Sequence, residues 1–439
     1  MQFGLMAIRK RGMHFAVATL MLIAAMLGTV ERAEAQLGAV AVGGAGGTGM
    51  RMTVPTDTYF LVLGTLYDGD YTQALGGFQS CLRSAIKSPS SFWIDSICYH
   101  TMCGECYFQL GNYSAAMDQY NKALQLQIAF SDWMIPVKFD QAIRPANQTS
   151  LRPIPWGQPQ RQLMIGAFPD NVLIQQGQVD QSRLIAQGGG VVQQATQRTI
   201  NPQEIVRCVC LALRRRQEIL GPLAPYDTVA GQLVAVMSKR PVQPNHWTES
   251  WVDVMLGCAF AAVGKDAQAK PLLEKSLLAG GTFDHPMTCV ALVELGRIAL
   301  NAGDYDLATK YFQEASYSGY YFLDPLHVED AFRYAVITHF LANKGGPYTP
   351  LVNGAAWARQ MNYRQMQTRL LLLTAENQCL LNDAKAASVT LDNTRAVIAR
   401  REMLKARIGA QLNFTQAHVS YQLGNVAAAN INERAAGLR

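Results

Sequence analysis

"CGECYFQLGNYSAAMDQYNKAL", residues 103–124, decides the fold. Its Cys103-Gly104-Glu105-Cys106 invites a chemical reading, as a thiol redox couple or half of a zinc site. Its Gly111, Tyr113, Ala116 and Tyr120 recur elsewhere, which points to architecture. The same columns stand in "LVLGTLYDGDYTQALGGFQSCL" (61–82), "LGCAFAAVGKDAQAKPLLEKSL" (256–277) and "LGRIALNAGDYDLATKYFQEAS" (295–316). Gly69, Gly264 and Gly303 align with Gly111; Ala74, Ala269 and Ala308 with Ala116; Phe78, Leu273 and Phe312 with Tyr120. This spacing predicts two antiparallel helices. The glycine accepts the left-handed turn that ends the first helix. The alanine lets the two axes approach, and the large residue one turn later reaches towards the next unit. Such a hairpin cannot bury its apolar face alone, so copies must stack.

In these four blocks the chain resembles the tetratricopeptide repeat family, helix-turn-helix units that stack into a superhelix with a concave groove. The small first-helix residue of the family is held at Gly104, Gly257 and Gly296, with Val62 in the first block. Ala116 follows Ala74, and Ala308 follows Ala269, at intervals longer than the family's usual length of about 34 residues, so extended helices or loops are expected between units. Residues 370–391, with Asn382 and Ala387, and 414–437, with Gly424 and Ala429, read as degenerate copies, the last as a polar terminal cap.

The expected fold class is all-α, a tetratricopeptide-type helical-hairpin superhelix (α-solenoid) in two blocks. Residues 1–35 have the three-part organisation of a secretory signal: Arg9-Lys10-Arg11, an apolar run from Phe15 to Val30, and Ala33-Glu34-Ala35. That run is short for a membrane span, and no second long apolar run follows, so no membrane span is expected in the mature chain. Residues 36–53 read as a flexible leader and 54–127 as an N-terminal block of two repeats. The Pro/Gln-rich stretch 128–200 reads as an insertion or linker, in which Arg161–Phe168 and Asn171–Gln176 could pair as a β-hairpin. Residues 201–439 form a C-terminal helical block. It opens on a helix over 202–220 capped by Asn201 with Pro202 in its first turn, and a partner helix over 227–239.

Composition narrows the function. The chain has 439 residues and a formal net charge of +6 at pH 7, too mild a balance to suggest a nucleic-acid partner without a basic stripe interleaved with aromatics. Arg214-Arg215-Arg216, the densest basic cluster, reads as a solvated helix face. Nine cysteines are scattered, without the density of a disulfide framework. Cys103 and Cys106 occupy columns that are apolar or side-chain-free in the sister blocks, which favours packing. A redox pair would need its thiol at a helix N-terminus, and zinc would need two more convergent ligands. Cys103 and Cys106 remain the alternative redox pair. Residues 128–200 hold no His, Cys or Glu, and no metalloprotease, phosphate-loop or nucleophile-elbow pattern occurs elsewhere. No catalytic residue, cofactor or metal is expected.

What remains is a groove. First-helix residues opposite the packing columns are the candidates: Tyr59, Leu63, Tyr67, Glu105, Gln109, Arg297 and Asn301. Some tetratricopeptide proteins clamp a partner's C-terminal carboxylate with lysine on this face. Here Thr101, Val254 and Val293 occupy the corresponding positions, so that clamp is not carried over. Tyr317, Tyr320, Tyr321 and Phe322 form an aromatic patch that reads as core in preference to a ligand cage. The expected function is an exported, non-catalytic scaffold that binds a protein or peptide in the envelope. The alternatives are a thiol-redox protein and a regulatory subunit whose insertion docks into a larger assembly.

Overall fold

The computed structural model describes residues 53–88, 91–147, 152–161, 164–176, 196–342, 344–398 and 401–436. The expected signal segment, the leader up to residue 52 and the Gly188-Gly189-Gly190 run lie outside the described residues. Sixteen helices of ten or more residues form among the described residues. They are α1 Asp57–Tyr67, α2 Tyr71–Arg83, α3 Asp95–Gln109, α4 Tyr113–Ala129, α5 Pro202–Leu220, α6 Thr228–Met237, α7 Glu249–Ala262 and α8 Asp266–Lys275. There follow α9 Thr288–Asn301, α10 Tyr305–Tyr321, α11 Pro325–Leu341, α12 Pro350–Gln360, α13 Arg364–Leu380, α14 Ala384–Val397, α15 Arg407–Gln422 and α16 Val426–Ala435.

The turn chemistry follows the sequence pattern. Gly69, Gly111, Gly264, Gly303 and Gly424 all take positive φ at the ends of first helices, and Asn382 does so at φ 60°. Aspartate or asparagine then caps the second helix. Asn112 Oδ1 accepts from Ala115 N at 3.1 Å, and Asp304 Oδ1 from Leu307 N at 3.1 Å. Asn201 caps α5 by accepting from Glu204 N at 2.9 Å.

Odd-numbered helices from α3 to α15 pack side by side as an inner layer, so the second pair meets the third directly across the insertion. Residues 51–439 form one compact unit, and the two expected blocks are one continuous array. The array turns until its first pair touches its seventh. Asp68 pairs with Arg364 at 3.2 Å, and Tyr67 meets Tyr363 edge-on at 5.5 Å. The apolar core has two parts, one over the first four and last two pairs, the other around α9–α13.

The insertion folds back onto the array. Trp133 and Phe139 are buried, and Trp247 Nε1 donates to Asp140 O at 2.7 Å. The expected hairpin of Arg161–Phe168 with Asn171–Gln176 does not form. Val172–Gln176 instead pairs antiparallel with Thr196–Ile200, which pairs in parallel with Thr53–Val54. Met164–Ala167 pairs with Arg144–Pro145 and with Phe283–Asp284, between α8 and α9. Both strands had better partners in distant chain, which local turn signals cannot reveal.

Candidate functional site

The concave side is where a groove was expected, and the chain's own charged side chains fill most of it. α5 lies against α3, α4 and α7, and the guanidinium groups of Arg214, Arg215 and Arg216 are buried with carboxylates beside them. Arg215 Nε donates to Glu105 Oε2 at 2.9 Å, and its Nη1 lies 3.2 Å from Glu218 and 3.4 Å from Asp330. Arg214 stands 2.5 Å from Asp330 without the alignment of a hydrogen bond. Arg216 pairs with Asp227 at 2.6 Å. The expectation of a solvated basic face is therefore corrected: its partners Glu105 and Asp330 come from α3 and α11, far away in sequence. Burial opposes ionisation of Glu218, but Arg333 and Arg215 outweigh it and hold the carboxyl down at about 2. Asp330 is likewise held far below the usual carboxylate range by Arg214, Arg215 and Arg333, against its burial.

The candidate groove residues divide accordingly. Tyr59 is fully buried; its hydroxyl donates to Glu204 and lies 3.6 Å from Cys208 Sγ. Leu63 is buried and Tyr67 half-buried at the seam with α13. Glu105 and Gln109 are brought together, Gln109 Nε2 donating to Glu105 Oε1 at 2.8 Å, and both are buried. Arg297 is occupied by Glu294 at 2.8 Å, while Asn301 is exposed. Among the described residues these seven line no single open groove: Tyr59 and Glu105 are bonded to α5 and Gln109 to α13, while Asn301 stays exposed.

A cavity of about 430 Å³ remains between α11, α13 and α15. Of the seven candidates only Gln109 lines it. One wall is charged. Arg369 bonds to Glu329 at 3.3 Å and to Gln109 at 3.4 Å, while Arg407 lies over the Phe108 ring at 4.0 Å and forms no ion pair among the described residues. Burial, then the charges of Arg369 and Arg215, lower the Arg407 pKa. The other wall is apolar, and at its rim Ile337, Phe340, Leu341 and Leu380 are exposed. Glu376 also lines it; burial raises its carboxyl, against bonds from Gln411 at 2.8 Å and Thr415 at 3.1 Å. Arg407, Phe340 and Leu341 were missed because they lie outside the four clear blocks.

The thiols form no accessible chemistry. All nine cysteines are buried and none is in a disulfide. Burial, with a smaller effect of Cys81, pushes Cys103 up to about 12, and burial pushes Cys106 well above its ordinary value. Neither supplies a thiolate at neutral pH. Cys289, Asp324 and His327 converge within 4.8 Å, all buried. Asp324 caps α11 there and holds His327 Nδ1 at 2.5 Å. Burial, with the charges of Arg214 and Arg207, lowers the His327 pKa against the pull of Asp324, and those guanidinium groups disfavour a metal cation.

Stacked helix pairs with glycine turns, close-packed alanines and a concave layer of first helices define a helical-repeat protein. The tetratricopeptide repeat family model matches residues 99–127 and 290–317, the second and fifth pairs. The chain carries tetratricopeptide repeats at these two positions, and such repeats mark a protein-interaction scaffold. In sequence the chain matches no curated protein. Among solved structures it is similar to a monomeric mutant of IFIT1 with Gppp-AAAA, at 9% identity over 87% of this chain and 77% of that one, with a TM-score of 0.32. It is also similar to the APC/C hetero-tetramer Cut9-Hcn1, at 11% identity over 87% and 86%, with a TM-score of 0.22. Likenesses at this level carry nothing about ligand or partner. Among the described residues no helix is long and apolar enough to cross a membrane.

Proposed function

We propose that the chain is an exported, non-catalytic scaffold that holds a protein or peptide partner in the cell envelope. The partner's segment enters the cavity between α11, α13 and α15. The observation that carries this reading is the mouth itself. Exposed Phe340 and Leu341 line the same cavity as Arg407, whose guanidinium lies over Phe108 and has no ion pair among the described residues, while nearby inner charges are paired with one another. That combination of an apolar rim and an arginine without a carboxylate partner among the described residues fits a segment with apolar side chains next to an acidic group. The absence of catalysis is supported by how those inner acids and bases are tied in ion pairs. Export is supported by Arg9-Lys10-Arg11, the apolar run to Val30 and Ala33-Glu34-Ala35.

The test is cross-linked capture at native abundance, comparing the wild type with Phe340→Asp/Arg407→Glu. One or a few proteins are expected with the wild type and to be lost with the variant. The same set recovered with both excludes this cavity as the docking site. The N-terminus of the captured chain is read in the same experiment: Gln36 is expected, and an intact Met1 rules out cleavage.

A further inference from the structure

The segment Arg152–Arg161, "RPIPWGQPQR", crosses the outside of α10 and α12 without helix or strand. Ile154 and Trp156 point in and are buried, while Pro153, Pro155 and Gln158 between and beside them are exposed. Trp156 meets Tyr320 at 5.3 Å, Phe332 at 5.3 Å and Trp357 at 5.4 Å, all edge-on. Its Nε1 donates to Ser316 Oγ at 3.0 Å. The array grips the segment's backbone from its own side chains: Tyr320 Oη donates to Pro153 O at 3.4 Å, and Asn353 Nδ2 to Pro155 O at 2.9 Å. A Cβ at Gly157 would collide with Tyr317 Oη. Downstream, Glu314 accepts from Gln160 N at 2.6 Å and from Arg161 Nε at 3.1 Å, and Asp284 faces Arg161 at 3.1 Å.

These are the contacts by which a folded domain reads an extended peptide: alternate side chains in pockets, carbonyls bonded from the wall, one aromatic anchor. The anchor sits where α10, α11 and α12 meet: α12 packs mainly on α13, and Trp156 lies among one ring from each of the three helices. The aromatic patch around Tyr317 and Tyr320 is thus a cage for a tryptophan of the same chain.

We propose that the face of α10–α12 is a second recognition site, specific for a segment of a partner protein carrying Ile-Pro-Trp-Gly with an arginine four residues beyond the glycine, and that residues 152–161 are its displaceable resident. Three positions of that code have a reader: the three-ring box with Ser316 for tryptophan, Tyr317 for glycine, Glu314 with Asp284 for arginine. Burial raises the Asp284 carboxyl against the charge of Arg161, and an occupant without arginine forgoes the ion pairs of Arg161 with Asp284 and Glu314. The resident is tethered at an effective concentration of about millimolar, so a competitor is excluded until the strap is loosened or the competitor is multivalent.

The test uses the full mature chain and a labelled peptide of residues 152–161. Binding to Trp156→Ala is expected to be about tenfold or more tighter than to the wild type, whose strap competes. The peptide should also raise the melting temperature of Trp156→Ala and not that of the wild type. A peptide with alanine for its tryptophan should do neither. Should Trp156→Ala fail to fold, Arg161→Ala, which keeps the anchor and weakens only the distal grip, carries the same comparison. No saturable binding by either variant up to millimolar peptide, or equal binding of the tryptophan-less peptide, overturns the proposal.

Discussion

The α3/α4 and α5/α6 pairs are neighbours in the array, yet they are specified in opposite ways. The first carries the complete repeat signature, and each signature residue has its contact: Gly104 lies under the Tyr120 ring, Ala116 is fully buried, and Asn112 caps α4. The second carries no legible signature. Nevertheless α5 is buried without interruption from Ile205 to Arg216, held by Glu105 and Asp330 from other pairs. The repeat motif encodes how a helix meets its own partner; the filling of the interior is written in charges scattered along the chain. A buried ionic helix of this kind contributes little net stability when intact and is costly when broken.

Removing Arg215 tests that contrast most severely. Among the described residues Arg215→Ala leaves Glu105 with Gln109 and Tyr120 as hydrogen-bond partners, and a broken buried pair costs about 3–5 kcal/mol. Urea unfolding followed by circular dichroism should show that loss, and adding Glu105→Gln should recover part of it. A double variant no more stable than Arg215→Ala would mean that Glu105 is not the stranded charge.

Next in size is a pH effect that separates the two pairs. Asp95, at the start of α3, is buried, and its carboxylate accepts from Ile86 N at 3.0 Å. Burial outweighs the bonds from Ile86 and Ser96 and raises the carboxyl to about 6, against about 3.9 unfolded. A raised acid binds its proton more tightly when folded. Its contribution is therefore fully present below about pH 4 and lost as pH rises through about 6, a change of about 3 kcal/mol. Asp95→Asn keeps an acceptor oxygen and should gain on the wild type by roughly that amount between pH 4 and 7.5. A flat difference across that window would refute the assignment. Glu218 of α5 has the opposite sign: held at about 2, it stabilises above about pH 4.3 and loses its contribution only as pH falls towards 2.

Sequence alone disclosed the helix pairs, their turns and the cap of α5, because glycine at positive φ and asparagine at an N-cap are local requirements. It disclosed the burial of Cys103 and Cys106 through their apolar columns. It failed on Tyr59, Glu105 and Gln109, whose first-helix positions do face inward, because nothing local says that the array closes until Asp68 reaches Arg364. It also failed on Met164–Ala167, whose strand partner Phe283–Asp284 lies beyond α8. The cavity mouth at Phe340 and Arg407 was invisible for the same reason, since it exists only where α11, α13 and α15 meet.

The smallest effect sharpens what the signature itself means. Gly64 in α1 and Gly104 in α3 are both glycines inside first helices, where alanine is preferred by about 1 kcal/mol on propensity. A Cβ at Gly64 meets nothing within 4 Å, whereas one at Gly104 would stand 2.5 Å from the Tyr120 ring. Tyr120 is fully buried, with its hydroxyl bonded to Glu105 at 3.3 Å, so it cannot swing aside without disturbing the ion pair with Arg215. Gly64→Ala should therefore stabilise by about 0.5–1 kcal/mol, and Gly104→Ala should destabilise by about 1–3 kcal/mol through overpacking. Thermal melts of the two variants give the signs directly. If both stabilise, the small residue at this column reflects no close approach of the two helices. If Gly104→Ala alone loses stability, the signature of α3/α4 and the ionic interior around α5 are coupled through one tyrosine.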